Sequence, residues 1–164
     1  MTTSPQRRNR AMVARGVAAT WRVARQVALR LPAGGVVALQ GNLGAGKTTF
    51  VQGLARALGV TRPVTSPTFA IVSEYQGTQL RLIHFDLYRL HSPDDLLALG
   101  FQEYLERGAL VALEWPDRAG DLLPPETIHV HLAPAADANS RCIEVLYPKS
   151  SPENTDDRNQ TTRF

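Results

Sequence analysis

From Val17 the apolar positions recur at intervals of four and three, through Trp21, Ala24 and Ala28 to Leu31, with Arg22, Arg25 and Arg30 on the other side. That spacing predicts an amphipathic helix, ended by Pro32 and the Gly34–Gly35 pair. The pattern then changes period. Residues 35–40 (GVVALQ) are a short, β-branched apolar run of the buried-strand kind. They feed directly into the glycine-rich stretch 41–46, after which KTTFVQGLARAL (47–58) is helical again, with Gly59 as its stop. Residues 60–69 (VTRPVTSPTF) form a Pro- and Thr-rich loop. Strands are expected in AIVSEY (70–75) and LRLIHFDLYRL (80–90), around the turn QGTQ. Ser92-Pro93-Asp94-Asp95 starts a helix, with Ser92 as N-cap, proline at the first position and acids in the first turn. ALVALE (109–114) is near-continuously apolar, as expected of a strand covered on both faces. TIHVHL (127–132) and RCIEVLY (141–147) are later strands.

Strand, loop and helix, followed by more strands and few helices, predict a three-layer α/β fold with a mainly parallel sheet and some antiparallel strands. Phosphates bind beyond the carboxyl ends of strands in such folds. One domain is expected over residues 13–148. Residues 1–12 lack apolar periodicity and are expected to be a basic tail, and the polar residues 149–164 a second, disordered one. No apolar run approaches the ~20 residues of a membrane span, so no membrane association is expected. The single cysteine, Cys142, excludes an internal disulfide and a Cys-rich metal site, which makes a cytoplasmic location the default.

Charge changes this picture in one respect. The 164 residues carry a net charge of +3, yet residues 1–73 contain ten Lys or Arg and no acid, while the rest hold eight basic and fifteen acidic residues. Such a field suits an anionic ligand or a polyanion such as RNA, although an Arg-rich surface selected for solubility looks the same.

The chemistry concentrates at residues 41–49. Gly41, Gly46, Lys47 and Thr48 satisfy G-x-x-x-x-G-K-[ST], with Asn42, Leu43, Gly44 and Ala45 between them and Thr49 following. Glycines let the backbone turn and expose successive N–H groups, and the next helix adds its unpaired amides. Lys47 is placed for β- and γ-phosphates, and the Thr48 hydroxyl for Mg²⁺. ATP and Mg²⁺ are therefore the expected cofactors. A nucleoside triphosphatase also needs a carboxylate at the end of a neighbouring strand. Glu114 ends the more buried run and is assigned to the metal shell; Asp86, ending LRLIHFD, is assigned to ordering a metal-bound or attacking water. Asp117, past a proline, is a weaker alternative. The loop segment Ser66-Pro67-Thr68 is either a switch sensing the γ-phosphate or a rigid connector. His129 and His131 share one face of a strand without a third ligand, His84 and His91 are isolated, and Trp115 stacks on a ligand or packs internally. Ser66, Ser73 and Cys142 lack the histidine partner a nucleophile requires.

GNLGAGKTTF (41–50), SPTF (66–69), HFDLYRL (84–90) and LEWP (113–116) occur in an order and spacing that resemble the TsaE family, bacterial ATPases of tRNA threonylcarbamoyladenosine synthesis, over residues 17–147. The loop motif is shared by many proteins; the other three segments are specific to this family. The resemblance implies slow ATP hydrolysis in support of two proteins, TsaB and TsaD, of which TsaD transfers the threonylcarbamoyl group to the adenosine beside the anticodon of tRNAs reading A-starting codons. Contact with tRNA is then indirect or through the complex. By position it implies that Lys47 and Thr48 hold phosphate and Mg²⁺, Glu114 holds or orders the metal, and Asp86 serves hydrolysis. Ser66-Pro67-Thr68 is then the switch-like loop, with Trp115, and also Arg141, near the site. The chain departs from the family at Asn42, where an acid is usual, and at Ala18-Ala19 before Thr20, where acids are common. A small-molecule kinase and a nucleotide-gated scaffold with little turnover are the alternatives.

Overall fold

The computed structural model describes residues 8–148. The predicted tail at residues 149–164, and residues 1–7 of the other, lie outside them. The chain runs β1 (Arg8–Arg15), α1 (Gly16–Arg30), β2 (Val36–Gln40), α2 (Lys47–Ala57), β3 (Val72–Tyr75), β4 (Leu82–Asp86), α3 (Pro93–Ala98), α4 (Phe101–Glu106), β5 (Leu110–Glu114), a 3₁₀ segment (Pro116–Leu122), β6 (Ile128–Pro134) and β7 (Ser140–Tyr147). The strands form one sheet in the order β1-β7-β6-β2-β5-β4-β3. β6, β2, β5 and β4 are mutually parallel, and antiparallel pairs finish both edges, β3 on one and β7 with β1 on the other. The mixed α/β sheet is the one expected from the alternation of strand and helix patterns.

β2, β4 and β5 are apolar at almost every position because both faces are covered. Val37, Leu39, Leu82, Leu110 and Ala112 join a core with α1 and α2, while Val36, Ile83, Phe85, Val111 and Leu113 join a second core beneath α3 and α4. Phe101 and Tyr104 of α4 meet the Phe85 ring edge-on, with centroids 5.5 and 5.3 Å apart. β6 alternates instead, burying Ile128, Val130 and Leu132 and leaving His129 and His131 on the less covered face.

Residues 8–12, expected to be tail, are a strand: Arg8 pairs with Tyr147 and Met12 with Ile143 in a regular antiparallel ladder. The pattern is hard to read because this edge strand commits only alternate residues, Met12 and Ala14, to the core. α1 buries Thr20, Val23, Ala24, Val27 and Ala28, a face rotated from the one predicted, and Val17 is exposed at its first turn. The predicted run 80–90 is a strand only as far as Asp86. There the Asp86 carboxylate accepts from the Tyr88 amide and Leu90 N donates to Leu87 O, turning the chain out of the sheet. α3 opens with the anticipated N-cap in full: the Ser92 hydroxyl accepts from Asp95 N and the Asp95 carboxylate from Ser92 N. Among the described residues no helix is long and apolar enough to cross a membrane.

Candidate functional site

Between β2 and α2 the chain makes a tight turn whose glycines have separate reasons. A Cβ on Gly41 would lie 2.5 Å from Leu132 O of the neighbouring strand, so the loop passes too close to β6 for any side chain. Gly44 (φ 79°) and Gly46 (φ 104°) take left-handed conformations. Gly46 is the N-cap of α2, and among the described residues no side-chain hydrogen bond caps that helix end. No acid lies in its first turn either. The first amides of α2 are left to the solvent side of the turn, which is an anion-binding end.

These residues open on a cavity of about 540 Å³. Its floor is Leu43 to Thr49, and its walls are Ser66 and Thr68 of the loop, Asp86 at the end of β4, Tyr88, Glu114 at the end of β5, Trp115, and Arg141 of β7. Asp86 and Glu114 are register partners on adjacent parallel strands, which places both carboxylates on the α2 side of the sheet. Both are buried, at 4% exposure each.

Each carboxylate is held by specific groups. Asp86 Oδ2 accepts from Ser66 Oγ (3.0 Å) and Thr68 Oγ1 (3.1 Å), and the backbone N of Asp86 donates to Ile71 O (2.8 Å). Ile71 itself stands at φ 69°, an uncommon conformation for a β-branched residue, with its N–H on Pro67 O. The 66–71 loop is thus fastened to Asp86 at both of its ends. Glu114 Oε1 accepts from Thr48 Oγ1 (3.4 Å) and from His84 Nε2 (3.0 Å), the latter wholly buried on β4. Lys47 donates to Gly41 O, and its ammonium lies 3.9 Å from the centroid of the Trp115 ring. Burial pushes the Lys47 pKa below the ordinary lysine value, against the opposing pull of Glu114 and Asp86.

A second cavity of about 310 Å³ adjoins the first through Gly46, Thr49 and Arg141, and is closed by Gly16, Val17 and Thr20 of α1 and by Ala138 and Asn139. Arg141 stands between the two, its Nη1 donating to Ala138 O and Ser140 O while its Nε has no hydrogen-bond partner among the described residues.

The structure therefore brings together Leu43, Gly44, Ala45, Gly46, Lys47, Thr48, Thr49, Ser66, Thr68, Asp86, Glu114, Trp115 and Arg141. Gly41, Asn42 and Pro67 shape the loops without lining the cavity: Asn42 O accepts from Ala45 N, and Pro67 is buried. Asp117 is exposed in the 3₁₀ segment and does not reach the cavity. His131 faces Glu144 on the outer sheet face (3.3 Å), and among the described residues no group of three or more His, Cys, Asp or Glu could hold a metal. His84, set aside as isolated in the sequence, is not isolated. The signal was its place inside an apolar run two residues before Asp86, but its partner lies 30 positions further on.

A glycine-rich loop between a central parallel strand and a helix, with carboxylates at the ends of the two next strands, defines the fold class as P-loop NTPase-like. The family model described as "Threonylcarbamoyl adenosine biosynthesis protein TsaE" matches residues 14–143, and the chain belongs to that family, whose role is in tRNA threonylcarbamoyladenosine biosynthesis. The tRNA threonylcarbamoyladenosine biosynthesis protein TsaE of Treponema pallidum is 44% identical over 109 residues, 66% of this chain and 80% of that one. The protein of the same name from Nostoc sp. is 42% identical over 119 residues, 70% and 72% of the two chains. The crystal structure of Bacillus subtilis YdiB superposes with a TM-score of 0.74 at 31% identity, covering 88% of this chain and 89% of the other.

Proposed function

We propose that this chain binds ATP with Mg²⁺ in the larger cavity, hydrolyses it, and thereby supports TsaB and TsaD in threonylcarbamoylating tRNA. The observation that supports the reading best is the convergence of Thr48 Oγ1 and two buried carboxylates on one uncapped helix N-terminus, with Glu114 3.4 Å from Thr48. Two carboxylates and a hydroxyl, without a cage of protein ligands, fit Mg²⁺, which is commonly held by one or two carboxylates together with substrate phosphates. Thr48 and Glu114 would hold the ion, which when bound neutralises charge on the β- and γ-phosphates.

The remaining groups divide the work. The α2 amides and Lys47 take the phosphates, Lys47 exchanging Gly41 O for phosphate oxygen. Asp86 is placed to orient the attacking water. Because Ser66 and Thr68 share its Oδ2, a change at the γ-phosphate would reach the 66–71 loop through that carboxylate. The second cavity, between Thr20 and Arg141, takes the adenine end.

The test is phosphate release from ATP with no acceptor present, repeated with TsaB, TsaD and tRNA added. Hydrolysis is expected alone and is expected to change on addition. Glu114→Gln and Asp86→Asn should each lower turnover by about 10²-fold or more, the scale of a lost charge-stabilising or acid–base group. ADP formed only in the presence of a small hydroxyl acceptor, with the phosphoryl group on that acceptor and none released as free phosphate, would mean a kinase, and modified tRNA at the normal rate with Glu114→Gln would mean a scaffold.

A further inference from the structure

His84 is the one wholly buried histidine among the described residues. It sits in LIHFD, a strand in which every position is buried, on the α2 side with Leu82 below it and Asp86 above. Across the ladder its register partner is Ala112, so it lies one pleat deeper than Glu114 and diagonal to it. An imidazole in such a place costs more to bury than a leucine unless it is hydrogen-bonded. Its one hydrogen bond is to Glu114 Oε1, and its Nδ1 has no partner among the described residues. A carboxylate oxygen only accepts, so Nε2 carries the proton. Nothing in the surrounding core calls for a ring nitrogen; Glu114 does.

We propose that His84 is a positioning residue for Glu114: its Nε2–H fixes Oε1 from beneath and leaves Oε2 as the oxygen that no other described residue hydrogen-bonds. The proposal rests on the reading of the cavity as an ATP and Mg²⁺ site. Oε1 has two donors, and the Thr48 hydroxyl at 3.4 Å is the weaker hold. His84 is fixed in a strand and cannot follow a ligand, so it keeps the carboxylate aimed whether the cavity is filled or empty. Partners of this kind orient metal-binding groups, and their loss typically lowers metal affinity or activity by about 10–100-fold.

The full-length chain is assayed as wild type, His84→Met and His84→Gln, each also in a Glu114→Gln background. Three quantities are read: affinity for a fluorescent ATP analogue without Mg²⁺, the Mg²⁺ concentration giving half-maximal turnover, and kcat. His84→Met should leave metal-free binding within about twofold while raising the Mg²⁺ requirement and lowering kcat, together about 10–100-fold. His84→Gln, whose side-chain amide reaches the same oxygen, should recover most of the loss. In the Glu114→Gln background His84→Met should add nothing. Wild-type Mg²⁺ requirement and kcat in His84→Met would overturn the proposal, as would the same fold-loss in both backgrounds. If His84→Met does not fold, His84→Gln is compared with the shorter His84→Asn, and equal behaviour of those two overturns it. A wild-type chain that neither binds nor hydrolyses ATP overturns the nucleotide reading itself, and is seen before any variant is made.

Discussion

Trp115 stands in the left-handed region (φ 59°, ψ 56°), with the Lys47 ammonium over its ring and Tyr88 packed beside it at 5.1 Å between centroids. A cation over an indole is worth about 0.5–2 kcal/mol, less than Lys47 gains from a polyphosphate at the same place. Lys47 should therefore leave the ring when nucleotide binds, and the indole should report it. The chain has two tryptophans, and the Trp21 Nε1–H has no partner among the described residues, so Trp21→Phe leaves Trp115 as the sole reporter at little cost. In that variant, ATP is expected to change the emission intensity or maximum saturably; emission unmoved at saturating ATP would contradict the exchange. Residue-scale legibility was uneven. Lys47, Thr48, Asp86 and Glu114 could be found because each ends or begins an element that a local pattern marks. His84 could not, since its meaning depends on a strand reached only through tertiary pairing.

At the scale of elements, α1 and α2 cross at Gly53. A Cβ there would lie 2.7 Å from Ala24 Cβ and 2.9 Å from the Trp21 Cα. Alanine in mid-helix gains roughly 0.5–1 kcal/mol over glycine, but overpacking against backbone costs about 1–3 kcal/mol. Gly53→Ala should thus destabilise the fold by about 1–2 kcal/mol in urea unfolding, and a stabilised variant would show that the helices can part freely. At the start of α3, hydrogen bonds from the His91 and Ser92 amides hold the Asp95 carboxyl below its ordinary pKa of 3.8. A depressed carboxylate stabilises the fold above its unfolded-state pKa and loses that contribution as pH falls through its folded value. Asp95→Asn is therefore expected to melt below wild type at neutral pH, with the gap closing in the acid range; a gap independent of pH would rule out the charged cap. This cap was readable because it is encoded within four consecutive residues. α4 and the 3₁₀ segment, of six and seven residues, are too short for an apolar period to declare them.

For the molecule as a whole, the central parallel strands were legible because burial on both faces leaves continuous apolar runs. The β1–β7 edge was not, because its ladder joins residues from opposite ends of the described chain, as far apart as Arg8 and Tyr147. Removing residues 8–15 would strip that ladder and bare β7 as an edge strand, a template for pairing with other chains. Such a truncation is expected to lower the melting temperature and to associate at micromolar concentration, checked by calorimetry and sedimentation; a monomer of unchanged stability would make β1 dispensable.

The same edge sets an order of events during synthesis. β1 has no partner until β7, the last of the described strands, emerges, and contacts so distant in sequence are slow to form. Arg141, the wall shared by both cavities, arrives on that last strand. A nascent chain halted before residue 140 would already carry the loop at Gly41–Thr48 and both carboxylates, yet neither cavity would be closed. On the ribosome, the closing of both cavities waits for β7, the last of the described strands.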